Sequence, residues 1–134
     1  MNDDIMRRVL RISAAANFGA AALFAFPASL GQLAGLPAPA PRLYTTFLAV
    51  LVALFGATYA WLARRPRIDR PLVGFAALGK TSFFVVVLVT FLLGEVPARA
   101  LLAAGGDLVL AALFAWWLMG AVAAPAASAS SRAA

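Results

Sequence analysis

The chain has no cysteine and no histidine among its 134 residues. Without thiols it can form neither a disulfide nor a thiolate metal site, and thiol nucleophiles are excluded. Without imidazole it lacks the commonest metal ligand, the axial ligand of most haems and the usual general base near neutral pH. Charge is scarce too: 12% of residues are charged, where soluble domains carry about a quarter. A single lysine, Lys80, and five acidic residues leave few groups from which to assemble acid–base catalysis. These gaps favour a non-enzymatic protein with no cofactor and no bound metal.

Apolar residues are abundant. Hydrophobic side chains make up 64% of the chain and the mean hydropathy is +0.94, too apolar for a water-soluble particle to coat itself. The length suits one domain. The net charge of +6 does not point to nucleic acid, because the basic residues sit in short clusters between apolar runs, with no polar or aromatic surface around them. Such clusters orient a membrane protein and suit anionic headgroups. The expected fold is therefore all-α: an integral membrane four-helix bundle of up-down topology.

The apolar runs place the spans at approximately 12–36, 44–63, 72–94 and 100–122, inside a transmembrane domain of residues 1–122. Asp3 or Asp4 can cap a short helix ahead of the Arg7, Arg8 and Arg11 cluster. The first apolar run is too long for a signal-peptide core, and no small-x-small site precedes a polar mature sequence, so it is read as a retained helix. Pro27 kinks or interrupts it, and the PAPAP connector of residues 37–41 cannot continue it. Pro71 opens the third span at a favoured first-turn position. The small, polar stretch 123–134 reads as a disordered tail.

The basic residues set the orientation. With four spans, eight arginines (Arg7, Arg8, Arg11, Arg64, Arg65, Arg67, Arg70 and Arg132) share one face and only Arg42 and Arg99 the other. That bias places both termini in the cytoplasm, and Trp61, Trp116 and Trp117 fall at the cytoplasmic helix ends.

Depth follows from topology. Lys80 lies roughly 13 Å along the third span, just on the cytoplasmic side of the midplane, and Asn17 sits at a similar or shallower level. Asp107 falls in the outer half of the fourth span, near the level of Thr90 on the third. Counted from each span's own end, Lys80 and Asp107 are offset by roughly 9 Å, a gap the lysine stem, helix tilt or a water can partly close. Asp107 shares an i, i+4 row with Ala103, Ala111 and Ala115, and such small rows are where membrane helices approach closely. Ser13–Asn17–Ala21 and Ala53–Gly56–Ala57–Ala60 make similar surfaces.

Each ionisable group at such depth costs about 2.5–3.5 kcal/mol to insert, which marks Lys80 and Asp107 as a candidate intramembrane site or as a register lock between helices. Asn17, Tyr59 and Thr90 complete the candidate set; uncharged polar groups also commonly bridge membrane helices, and Tyr59 suits an interfacial anchor.

The stretches FGATYAWLARRP (55–66), GFAALGK (74–80) and GGDLVLAALFAWWL (105–118) resemble a family of small, uncharacterised four-helix bacterial inner-membrane proteins. The resemblance spans most of residues 12–120 and implies a multi-pass protein of the bacterial inner (plasma) membrane, without implying an activity. Small multidrug-resistance transporters fit less well, since they carry an essential glutamate in the first helix where this chain has only Asn17.

Two functions compete. One is an accessory or interaction subunit, or a bundle binding an apolar lipid-phase ligand. The other is a dimeric proton- or ion-coupled transporter or channel using Lys80 and Asp107. An intramembrane enzyme ranks below both. The expected partners are the bilayer itself and a second copy, a larger membrane complex or an apolar ligand, with no nucleic acid.

Overall fold

The computed structural model describes residues 1–122, and the expected disorder of 123–134 lies outside them. Among the described residues the chain is all-helical, 81% helix without strands. Four long helices, α1 (Asp3–Ala25), α2 (Arg42–Leu62), α3 (Arg70–Leu92) and α4 (Ala98–Val122), follow one another. Short turns join the last three, and a longer connection, 26–41, which includes a π-helical turn, Pro27–Gly31, joins α1 to α2.

The helix ends follow from local chemistry. Asn2, not Asp3 or Asp4, caps α1: its side chain accepts from the Ile5 amide at 3.0 Å, and the two aspartates sit in the first turn, where the helix dipole favours them. Asp69 caps α3 through the Leu72 amide at 3.0 Å, and Pro71 occupies the first turn. At the other end of α3, Gly94 adopts φ +77°; the Gly94 amide donates to Phe91 and the Glu95 amide to Thr90, the Schellman pairing that satisfies the last carbonyls.

The first apolar run departs from the expected 12–36 helix. Helix α1 begins nine residues earlier and stops at Ala25, because Pro27 has no amide to donate and its ring disfavours a continuing α-helix. The π-helical turn then carries the chain on to Gly31. Three helices, α2, α3 and α4 as far as Gly120, are long and apolar enough to cross a membrane. Helix α1 differs in carrying Asp3, Asp4, Arg7, Arg8 and Arg11 in its first three turns. Its uncharged remainder, Ile12–Ala25, extends only about 20 Å, short of the ~30 Å hydrocarbon layer without the turn beyond it.

Helices α1 and α2 pack as one antiparallel hairpin and α3 and α4 as another. Gly56 lets α2 approach α1 closely: a Cβ there would lie 3.2 Å from Asn17 Cβ and 3.3 Å from the Ala14 carbonyl oxygen. The hairpins meet in a core at the arginine-rich end, where Met6, Leu10, Leu62, Val73 and Phe114 are fully buried. Arg7 fastens this end by donating to the carbonyls of Ala63 (3.1 Å), Arg65 and Pro66 (2.9 Å), in the cap and loop that follow α2. Arg70 donates to the Leu118 carbonyl at 2.8 Å, and the Trp117 indole donates to Asp3 at 3.1 Å. The first residues, the 63–69 loop and the end of α4 therefore lie together. Trp117 is buried, whereas Trp61 and Trp116 are exposed, as interfacial anchors would be.

A candidate ligand cleft with a polar wall

Beyond the packed end the hairpins leave a cleft of about 800 Å³ lined by all four helices. Its walls are apolar and aromatic, among them Phe24, Leu51, Phe55 and Phe83. Gly19, Gly79 and Gly106 border it, and at each of them the place of a side chain is open space. The volume falls within the range of small-molecule sites. A second hollow, about 670 Å³ between the end of α1 and the start of α2, holds Arg42, Thr45 and Thr46, none of them buried.

One wall of the main cleft is polar, and its groups form a chain across the four helices. Lys80 of α3 is an ion-pair partner of Asp107 of α4. Its ammonium also donates to Asn17 Oδ1 of α1 at 3.1 Å, and Asn17 Nδ2 donates to the Val52 carbonyl of α2 at 3.3 Å. Both contacts fix the asparagine amide in one orientation, oxygen toward the cation and nitrogen toward the carbonyl. The Lys80 ammonium lies 5.5 Å from the Tyr59 ring centroid, within cation–π reach. Tyr59 in turn packs edge-on against Phe114 at 5.9 Å. Both line the cleft, but Lys80 is 5% exposed and the Asp107 side chain 26%, so the carboxylate is the more accessible member of the pair.

Of the five candidate residues, Asn17, Tyr59, Lys80 and Asp107 come together and line the cleft. Thr90 does not: its hydroxyl turns back to the Val86 and Val87 carbonyls of its own helix, at 3.1 and 3.0 Å. Thr58 and Thr81 likewise bond to carbonyls one turn back. Ser13, on the same small row as Asn17, is sealed with no hydrogen-bond partner among the described residues. The phenylalanine walls were not in the candidate set: Phe83 reads from the sequence as lipid-facing or core packing, and Phe24 and Phe55 lie on other helices that only the fold brings alongside it.

The site can do two things chemically. It neutralises its own charge within apolar surroundings, and it presents polar atoms to whatever fills an otherwise greasy cleft. The fold and site together define an all-helical protein of membrane character. No protein-family model, curated protein or solved structure matches the chain.

Proposed function

We propose that this is a non-enzymatic integral membrane protein that crosses the bilayer as an up-and-down four-helix bundle, both termini cytoplasmic, and holds a lipid-phase ligand between its hairpins. The cleft carries the proposal: about 800 Å³, walled by aromatic and aliphatic side chains, with one set of polar groups at depth. A pure interaction subunit has no need of such a space. The orientation draws on the arginines gathered at one end, and the fourth crossing on α1 together with the π-helical turn beyond it. Large exposed apolar residues on the outer faces, such as Phe47, Leu54, Val86 and Leu102, suit acyl chains. Placement in a bacterial inner membrane draws on the family resemblance.

Native mass spectrometry of protein extracted in mild detergent tests this reading. The expected result is a small-molecule adduct on the wild type that is lost in Gly106→Trp, which fills the cleft. An empty wild type overturns it, and a retained protein partner in place of the adduct indicates an accessory subunit.

One observation favours a second reading. The Lys80–Asp107 pair borders the cleft, so a dimeric proton- or ion-coupled carrier has its charge-switching group in contact with a solute path. This reading requires that Lys80→Met abolish flux in reconstituted vesicles; unchanged flux removes it.

A further inference from the structure

We infer that the ligand's head is an uncharged oxygen group on a flat ring, of the quinone or quinol class, received by the Tyr59 hydroxyl and the free oxygen of Asp107. The inference rests on the ligand-holding reading of the cleft and names the chemistry of what is held.

Charge balance selects against an ionic head. Lys80 and Asp107 already neutralise one another, and Lys80 spends a second donor on Asn17. An anionic head would have to compete with Asp107 for the ammonium, and a cationic head with Lys80 for the carboxylate. Either exchange leaves an uncompensated charge in an apolar setting.

Beyond the third Lys80 N–H and the second Asn17 N–H, what remains unspent is a hydroxyl and a carboxylate oxygen. Tyr59 is 3% exposed and lines the cleft, yet its hydroxyl has no hydrogen-bond partner among the described residues. Ser13 Oγ is the buried, unpartnered polar side-chain atom among the described residues; the Tyr59 hydroxyl is not sealed in that way, and it belongs to a residue that lines the cleft. Asp107 uses Oδ1 for Lys80, and Oδ2 accepts no hydrogen bond among the described residues. A carbonyl oxygen takes the tyrosine proton donor, and a ring hydroxyl donates to the carboxylate. A quinone offers the first; its quinol offers the second and accepts from the tyrosine through its other hydroxyl oxygen.

The walls suit a ring. Phe24, Phe55 and Phe83 border the same space, and aromatic faces pair with planar ligands in offset or edge-on arrangements. An alkyl or isoprenoid tail can leave for the bilayer past Gly19 and Gly106, where no side chain stands in the way. The inference concerns binding alone and includes no electron transfer.

Three probes with the same ten-carbon tail separate the alternatives when titrated into the purified full chain by native mass spectrometry. They are decylubiquinone (neutral ring), 1-decanol (neutral, no ring) and decanoate (anionic). Decylubiquinone is expected to bind at least tenfold more tightly than either of the others. Tyr59→Phe is expected to weaken it about fivefold, the worth of one neutral hydrogen bond, with the melting temperature and decanoate binding unchanged. If Tyr59→Phe lowers the melting temperature, Phe83→Ala, at a position 39% exposed, carries the test by removing a wall ring and weakening decylubiquinone selectively. Decanol binding as tightly as the quinone overturns the ring. Decanoate binding tightest overturns the neutral head and leaves the ligand-holding reading intact. Decylubiquinone binding that neither variant weakens, or no binding by any probe, overturns the inference; the native adduct then decides the broader reading separately.

Discussion

The ammonium of Lys80 and the carboxylate of Asp107, 27 residues apart in sequence, meet as an ion pair on the wall of an apolar cleft. Removing one partner strands the other charge, whereas removing both leaves a greasier wall. Lys80→Met and Asp107→Leu are each expected to cost about 3 kcal/mol of stability, and the double variant less than either alone. Unfolding of the detergent-solubilised protein by a graded denaturing detergent measures the cycle. Strictly additive losses would show that the two groups are energetically independent.

Arg7 and Arg8 are neighbours with opposite prospects. Arg7 donates to the carbonyls of Ala63, Arg65 and Pro66, while Arg8 is exposed and its side chain makes no hydrogen bond among the described residues. Arg7→Ala is expected to lower stability by about 2 kcal/mol, since charge-assisted hydrogen bonds contribute about 1.5–3 and these are partly exposed. Arg8→Ala is expected to change it by less than about 0.5 kcal/mol. Thermal melting of the two variants side by side checks the contrast, and equal losses count against the clamp.

The glycines divide in the same way. At Gly56 a side chain would press on Asn17, Phe18 and the Ala14 carbonyl, so Gly56→Leu is expected to separate α1 from α2 and lower the yield of folded protein. At Gly105 a Cβ would meet no atom within 4 Å, so Gly105→Ala is expected to be neutral or to gain up to about 1 kcal/mol of helix propensity. Size-exclusion profiles and melting curves distinguish the two.

Orientation is accessible because the chain has no cysteine of its own. Single cysteines at Glu95 and at Arg67 report opposite ends of α3. Glu95→Cys is expected to react with a membrane-impermeant maleimide on intact cells, and Arg67→Cys only after lysis. The reverse pattern contradicts the proposed placement of the termini.

Much of this arrangement was legible in the sequence, because apolar length and proline positions are local signals. Pro71 marks the start of α3, and among the described residues three helices are long and apolar enough to span. The meeting of Lys80 with Asp107 was harder to read. Counting depth from each span's own boundary sets them roughly 9 Å apart. The turn between α3 and α4 supplies the better ruler: centred near Glu95, it puts Lys80 level with Leu110, only about 4–5 Å along the axis from Asp107. A lysine stem covers that distance. Thr90 shows the converse limit, since its level on the helix says nothing of a hydroxyl that prefers its own backbone. The cap of α1 was read at Asp3 or Asp4, because Asn2 resembles a terminal residue until its side chain is seen on the Ile5 amide, and the continuity of that first helix with the apolar run was not read. The cleft itself was not legible, because it depends on how two hairpins diverge, and that is set by packing at the arginine-rich end.

The most direct measurement is a density map of the full chain in lipid nanodiscs. A held ligand gives continuous non-protein density between the α1–α2 and α3–α4 hairpins, ending beside Tyr59 and Asp107. Hairpins closed against each other, with Phe55 and Phe83 filling the space and no foreign density, contradict the central claim.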